Sequence, residues 1–404
     1  MLRKISIENF FSIKDKQVLD LAVPSNAPDS PCFAINKEIS TTRIPKVVSI
    51  FGANASGKTT VLRALGFLKW FLTESFNLTL TNTLHLMPFL DLEAKHSISR
   101  LEVEFDSDLI EAGKSCIYRY RLEIRHDPGN KALLQPEAKP VVESESLYFA
   151  PEGKFRRLFY REREQIKDSP EFKVKVKDYP LQTFRDNASV IPTLVPYNHA
   201  VSNAFTSVLN SIFTNISTLQ KNDFDENLIT KFYASNEDVL KKLNSKLRML
   251  DLGIDNVAIS TIYNRVPEPV FKHSGLNCEV PYILESQGTQ KFFTLFPYID
   301  HVLESGGLLV LDEIDNDVHP ALMPEIIGWF HDKRTNPHNA QLIMACHNAS
   351  LLEHLEKEEI YFTEKTHDGR TQVYGLKDIS GVRRVDNYYK KYLGGVFGAV
   401  PNIG

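Results

Sequence analysis

The stretch Gly52-Ala53-Asn54-Ala55-Ser56-Gly57-Lys58-Thr59 follows the apolar run Val47, Val48, Ile50 and precedes the helix-forming Thr60-Val61-Leu62-Arg63-Ala64-Leu65. It fits G-x-x-x-x-G-K-[ST], the loop in which backbone N–H groups curl around a phosphate chain at a helix N-terminus. Such a loop needs a strand on one side and a helix on the other, which directs the chain toward an α/β core. Gly52, Asn54, Ala55, Ser56, Gly57, Lys58, Thr59 and Thr60 are the expected nucleotide contacts. Lys58 would reach the β and γ phosphates, and the Thr59 hydroxyl would ligate magnesium.

Composition bounds the rest. At 404 residues the chain exceeds the size at which one core usually keeps growing, so more than one lobe is expected. A formal charge of −4 with 24% charged residues excludes a globally basic nucleic-acid binder. Cys32, Cys116, Cys278 and Cys346 lie far apart without a C-x-x-C pair, and they suggest neither a zinc site nor a disulfide framework. No apolar stretch approaches the roughly 20 residues of a membrane helix, and no signal h-region opens the chain, so the expected location is the cytoplasm.

Partners for a phosphate loop stand in the second half. Leu308-Leu309-Val310-Leu311 reads as a strand buried on both faces and ends in Asp312-Glu313, a Walker B arrangement. Asp312 would support the metal, and Glu313 would orient and polarise the attacking water. A further apolar run, Gln341 to Cys346, ends at His347, read either as a γ-phosphate ligand or as the cap of the next helix. Ser286-Gln287-Gly288 opens the amphipathic stretch Phe292 to Leu303 and could aim free helix N–H groups at an anion or serve as a plain N-cap.

Taken in order, these elements resemble the head domain of an ABC-type ATPase. More narrowly the chain is similar to the SMC/RecF/OLD-like branch, in the AAA-15/AAA-21 group of bacterial ATP-binding proteins that includes the RloA, AbiL and Septu PtuA type phage-defence ATPases. Ile5-x-Ile7-x-Asn9-Phe10-x-Ser12, Asp251-Leu252-Gly253-Ile254 and Asp312-Glu313-Ile314-Asp315 running to His319-Pro320 carry that likeness. The resemblance implies ATP and Mg2+ as cofactors, Lys58, Glu313 and His347 as catalytic residues with Glu313 the base and His347 the switch histidine, and Thr59 and Asp312 at the metal. It also implies that Ser286 and Gly288 are signature residues touching nucleotide held by a second subunit. Here Glu285-Ser286-Gln287-Gly288-Thr289 replaces the usual L-S-G-G-Q. Gln135 and Gln182 are both candidates for a Q-loop glutamine.

Between the motifs the pattern changes. Leu101/Val103/Phe105, Cys116 to Ile124 and Phe172/Val174/Val176 alternate with charged residues, as strands with one wet face do. Asp127-Pro128-Gly129-Asn130 and Pro151-Glu152-Gly153 read as turns. Val201, Ala204, Phe205, Val208, Leu209 and Ile212, then Leu240, Leu243, Leu247 and Leu250, recur at helical spacing without a sustained heptad. The expected architecture is α/β: a P-loop ABC-type head with a mixed, mainly parallel central sheet and flanking helices. It divides into residues 1–95 (N-terminal half of the core), 96–195 (antiparallel β-lobe), 196–280 (helical insertion) and 281–404 (C-terminal half of the core). Basic and aromatic residues cluster at Lys154 to Arg163 and at Arg383 to Tyr392, as surfaces for nucleic acid or as ordinary solvated faces. The glycine-rich ending, Gly394 to Pro401, reads as an interaction segment or a packed tail.

The function expected is ATP-driven closure and opening of a homodimer or higher oligomer that controls an effector in anti-phage defence. Only 57 residues follow His347, too few for the TOPRIM nuclease of OLD enzymes, so a separately encoded nuclease or toxin is the expected partner. A RecF/SMC-like DNA repair ATPase is the alternative. A small-molecule kinase using the same loop is a third reading, disfavoured by Glu313 and the Ser286 segment.

Overall fold

The computed structural model describes the chain except residues 38, 80–81, 92–96, 111–113, 128–138, 175–183, 222–223, 251–252, 262–266, 318–321 and 401–404. Val47–Phe51, Leu308–Asp312 and Gln341–Ala345 are each buried along their full length, as continuous apolar runs in a covered parallel sheet must be. They lie side by side in a six-stranded sheet of order Ile212–Thr214, Leu308–Asp312, Gln341–Ala345, Val47–Phe51, Ile360–Lys365, Thr371–Gly375. The first five run parallel and the sixth is antiparallel. In register Asp312 faces Ala345, and Ala345 faces Ile50, so the carboxyl ends of three strands are level.

Successive residues of a strand point to opposite faces, and here each face has its own core. Val48, Ile50, Val310 and Ile343 pack into a cluster with the helix Lys58–Glu74. Val47, Phe51, Leu309, Leu311, Leu342 and Met344 pack into another with the helices Gln287–Ser305 and Leu322–His331.

The first helix is covered in turn by a seven-stranded antiparallel sheet, in the order Gln165–Asp168, Arg156–Glu162, Lys139–Ala150, Cys116–Asp127, Ile98–Ser107, Leu2–Glu8, Gln17–Asp20. Tyr118, Tyr120, Leu122 and Ile124 turn inward from the alternating run. The opposite face carries cross-strand ion pairs such as Arg119–Glu104 at 2.7 Å and Arg125–Glu143 at 2.9 Å. The N-terminal hairpin therefore belongs to this sheet, although its sequence lies within 1–95.

Several expectations change. Ile212 does not extend the helix Ala200–Leu209 but begins a short strand paired in parallel with Leu308–Val310. The 196–280 stretch is helical only in part: beside Glu226–Ser235 and Glu237–Met249 it contains a three-stranded sheet of Ile254–Ser260, Glu268–His273 and Val280–Pro281. Phe172 and Val174 are buried, but the chain there is turn and loop without a ladder partner among the described residues, and Val176 lies outside them. Pro151 and Glu152 do form a turn, while most of the Asp127–Asn130 turn lies outside the described residues.

The basic clusters are also altered by folding. Arg161 is fully buried and paired with Glu145, and it donates to the Ala188 carbonyl at 2.6 Å. Arg384 bridges Glu356 and Glu358, and Lys391 pairs with Asp386 at 2.6 Å. The glycine-rich ending packs: Phe397 and Ala399 are buried beside Tyr392. All four cysteines are free thiols, Cys116 and Cys346 buried, Cys278 exposed. Among the described residues no helix is long and apolar enough to cross a membrane.

Candidate nucleotide site

A cavity of about 520 Å³ opens at the level carboxyl ends of the central strands, lined by Ser12, Asn54 to Thr60, Glu313 and His347. Open parallel sheets gather ligand groups at this edge. The loop that leaves Val47–Phe51 turns back through Ala55 at φ 62° and Gly57 at φ 111° before the helix begins at Lys58. A Cβ on Gly52 would sit 2.4 Å from the Thr363 carbonyl oxygen, so that residue type is dictated by backbone proximity.

Lys58 donates through Nζ to the Gly52 and Ala53 carbonyls at 2.8 and 3.2 Å. Burial lowers its pKa, and the nearby Glu313 and Asp312 oppose that shift.

Thr59 Oγ1 donates to Asp312 Oδ2 at 2.9 Å, joining helix start to strand end. Burial raises the Asp312 pKa against the stabilising Thr59 bond. Asp312 Oδ1 is buried without a hydrogen-bond partner among the described residues. An orphaned carboxylate oxygen beside a threonine hydroxyl fits a hard divalent cation, which takes oxygen ligands and favours the ionised acid.

Glu313 follows with φ 53°, a left-handed conformation uncommon for glutamate and found where a site holds its backbone under constraint. Its Oε1 is 3.2 Å from His347 Nε2, and its Oε2 is 3.8 Å from Lys221 Nζ. His347 is not the helix cap: Asn348 fills that role by accepting from the Ser350 N–H at 3.0 Å. The imidazole stays in the cavity beside the glutamate.

Several contributors lay outside the sequence reading of the site. Asn215 clamps the Asp312 backbone through two hydrogen bonds, 2.8 Å to N and 3.0 Å to O. Asp315 Oδ2 accepts from the His347 and Asn348 N–H groups at 2.6 and 2.5 Å, tying the Walker B turn to the histidine loop. Ser12 Oγ contacts Thr60 Oγ1 at 2.9 Å and Thr371 Oγ1 at 2.9 Å. Ser12 and Asp315 stood within the family-like strings Ile5 to Ser12 and Asp312 to Asp315, which was their only signal; Asn215 and Lys221 had none.

Ser286 and Gly288 do not line this cavity. Ser286 caps the helix Gln287–Ser305, accepting from the Thr289 N–H at 3.1 Å, on an exposed corner beside Ile283 and Leu284, which are 82% and 72% exposed. Gln135 and Gln182 lie outside the described residues.

Fold and site together define an ABC-type P-loop ATPase head. The model of the AAA-21 family, described as "AAA domain, putative AbiEii toxin, Type IV TA system", matches residues 47–353. That span is more than half of the chain, and the chain belongs to this family. No curated protein matches significantly. Among solved structures, the SMC head domain from Thermotoga maritima is similar at 14% identity over 93% of this chain and 98% of that one, with a TM-score of 0.43. An SMC head bound to the C-winged helix domain of ScpA is similar at 14% identity, 92% and 96% coverage and a TM-score of 0.47. An Smc head with an extended coiled coil, bound to the C-terminal domain of ScpA derived from Pyrococcus furiosus, is similar at 12% identity, 98% and 99% coverage and a TM-score of 0.44.

Proposed function

We propose that the chain binds ATP with magnesium and hydrolyses it, and that two copies close around the nucleotide. The observation that carries this reading is the meeting of Lys58, Thr59, Glu313 and His347, from three strand ends, around one cavity, with Asp312 hydrogen-bonded to Thr59. The backbone N–H groups of 54–60 and Lys58 hold the phosphates. Thr59 and Asp312 would hold the cation, which would supply charge neutralisation for the phosphates. Glu313 orients a water and accepts its proton, and His347 steadies the glutamate and senses the γ phosphate.

Closure by a second copy is supported by the surface. Ser286 and Gly288 lie off their own cavity, beside the exposed pair Ile283 and Leu284, and apolar exposure next to a serine-capped helix N-terminus suits docking onto a neighbour's nucleotide. The matched family's description names a toxin of a toxin–antitoxin system, and we read the cycle as control of an associated effector in anti-phage defence, with a separate nuclease or toxin as partner and the cytoplasm as its place. The DNA-clamp reading keeps only part of its surface argument: Arg161, Arg384 and Lys391 are engaged within the fold, while Lys154, Arg157, Arg383 and Lys390 stay exposed.

Glu313→Gln tests the reading. It removes the proton acceptor and keeps the shape, so turnover falls by about 10²- to 10⁴-fold while ATP binding survives. Size-exclusion chromatography with ATP and magnesium should then show the variant accumulating as a dimer. A variant that binds ATP and stays monomeric sinks the two-copy closure, and one that turns over normally sinks the role of Glu313.

A further inference from the structure

At the opposite edge of the central sheet, where the strands begin, three side chains of different chemistry converge. Cys32 precedes the short strand Phe33–Ala34, His331 ends the helix Leu322–His331, and Glu359 leads into Ile360–Lys365. Their ligand atoms all lie within 4.8 Å of one another. His331 Nε2 is 2.7 Å from Glu359 Oε1, while Glu359 Oε2 is fixed by the Glu356 N–H at 2.8 Å. The Glu359 side chain is fully buried, whereas Cys32 borders a cavity of about 550 Å³ that also reaches His354, Glu356 and Asp386.

We propose that Cys32, His331 and Glu359 bind a zinc-class transition metal ion, with a water from the adjoining cavity as fourth ligand. One thiolate, one imidazole and one carboxylate make a borderline-soft donor set, which suits zinc and disfavours magnesium or calcium. Tetrahedral zinc holds such ligand atoms roughly 3.3 to 3.7 Å apart, so the His331–Glu359 pair opens by under about 1 Å and the thiol closes in by a similar amount. The scaffold is held from both sides: the Lys46 N–H donates to the Cys32 carbonyl at 2.8 Å, and Lys46 Nζ donates to the His331 carbonyl at 3.1 Å. Coordination displaces the thiol proton and the proton shared by His331 and Glu359, so metal uptake releases protons to solvent.

The competing account is an ion pair of His331 with Glu359 to which the Cys32 thiol only hydrogen-bonds. The two differ in whether Cys32 is a thiolate ligand or a hydrogen-bonded thiol. The site staples the segment around Cys32 to the helix after Walker B and to the strand beside Walker A, and it does so away from the phosphate loop. Its test is therefore independent of the nucleotide reading.

The test uses the full chain, stripped of metal with a chelator and titrated with cobalt(II) and zinc(II). Wild type should take up one cobalt with a thiolate charge-transfer band and intense visible bands of tetrahedral geometry, displaced stoichiometrically by zinc. Cys32→Ser should lose the charge-transfer band and weaken zinc binding by more than about 100-fold, beyond what loss of an outer-sphere partner does. Cys278→Ser, which alters the exposed thiol, should keep both. Zinc should raise the melting temperature of wild type and leave that of Cys32→Ser unmoved, with ATP affinity equal in the two. Wild type without a thiolate band overturns the proposal, as does a band that survives Cys32→Ser or vanishes in Cys278→Ser. If Cys32→Ser fails to fold, the wild-type spectrum and the Cys278→Ser control decide between the outcomes.

Discussion

Gly57 carries two constraints at once: its φ of 111° is one that side chains resist, and a Cβ there would lie 2.3 Å from Thr371 Oγ1. Thr371 Oγ1 donates to the Ser56 carbonyl at 2.9 Å and contacts Ser12, so it cannot withdraw without loosening the phosphate loop. Gly57→Ala should therefore cost about 1–3 kcal/mol of backbone strain, appearing as a roughly ten- to hundredfold loss of ATP affinity in calorimetric titration. Affinity equal to wild type would show that the loop yields without disturbing the threonine. At this scale much of the site was legible, because phosphate loops and strand-terminal acids are short-range patterns. Asn215 and Lys221 were not, because each reaches the site only after strand pairing brings Thr214 beside Val310. Arg161 was misread for a similar reason: its partner Glu145 sits on the neighbouring strand, and nothing adjacent in sequence marks it as buried.

Among the elements, the strand Cys116–Asp127 shows how alternation conceals a polar exception. His126 falls on the inward face and is buried, with Nε2 2.7 Å from Ser99 Oγ on the paired strand. Ser99 Oγ in turn donates to the Asn9 carbonyl, which leaves its oxygen to accept from a neutral imidazole. Burial pushes the His126 pKa from 6.5 down to about 4. Because the unfolded chain then binds the extra proton between those two values, stability is intact above pH 6.5 and is lost as pH falls toward 4. The loss attributable to this group is about 2 kcal/mol by roughly pH 5. Urea midpoints at neutral and mildly acid pH should converge in His126→Gln relative to wild type; an unchanged acid slope would place the sensitivity elsewhere. Elements with long periodic runs, such as Ile98–Ser107 and Gln287–Ser305, were readable from sequence. Ile212–Thr214 was not, because its three residues take their extended form from Leu308–Val310 while their spacing continues the preceding helix.

Over the whole molecule, the question is whether two large sheets fold as one body. Gln341 joins them at the first residue of its strand, with only 1% of its surface exposed. Its Nε2 donates at 3.1 Å to the Leu2 carbonyl in the antiparallel sheet and at 3.1 Å to the Pro45 carbonyl, just before the strand that feeds the phosphate loop. Its Oε1 accepts the Leu2 N–H at 2.6 Å. Both sheets also share the core around the helix Lys58–Glu74, so the link is a polar pin through an apolar contact. Gln341→Leu keeps the volume and strands buried backbone groups, each costing about 1–3 kcal/mol. A jointly folded molecule should lose roughly 3 kcal/mol or more in a single urea transition seen equally by far-ultraviolet circular dichroism and tryptophan fluorescence. Both tryptophans, Trp70 and Trp329, lie in helices on opposite faces of the central sheet, so the fluorescence reports on both cores. Two separated transitions would mean that the antiparallel sheet is an independent neighbour, and nucleotide closure could then move the two sheets apart without unfolding either.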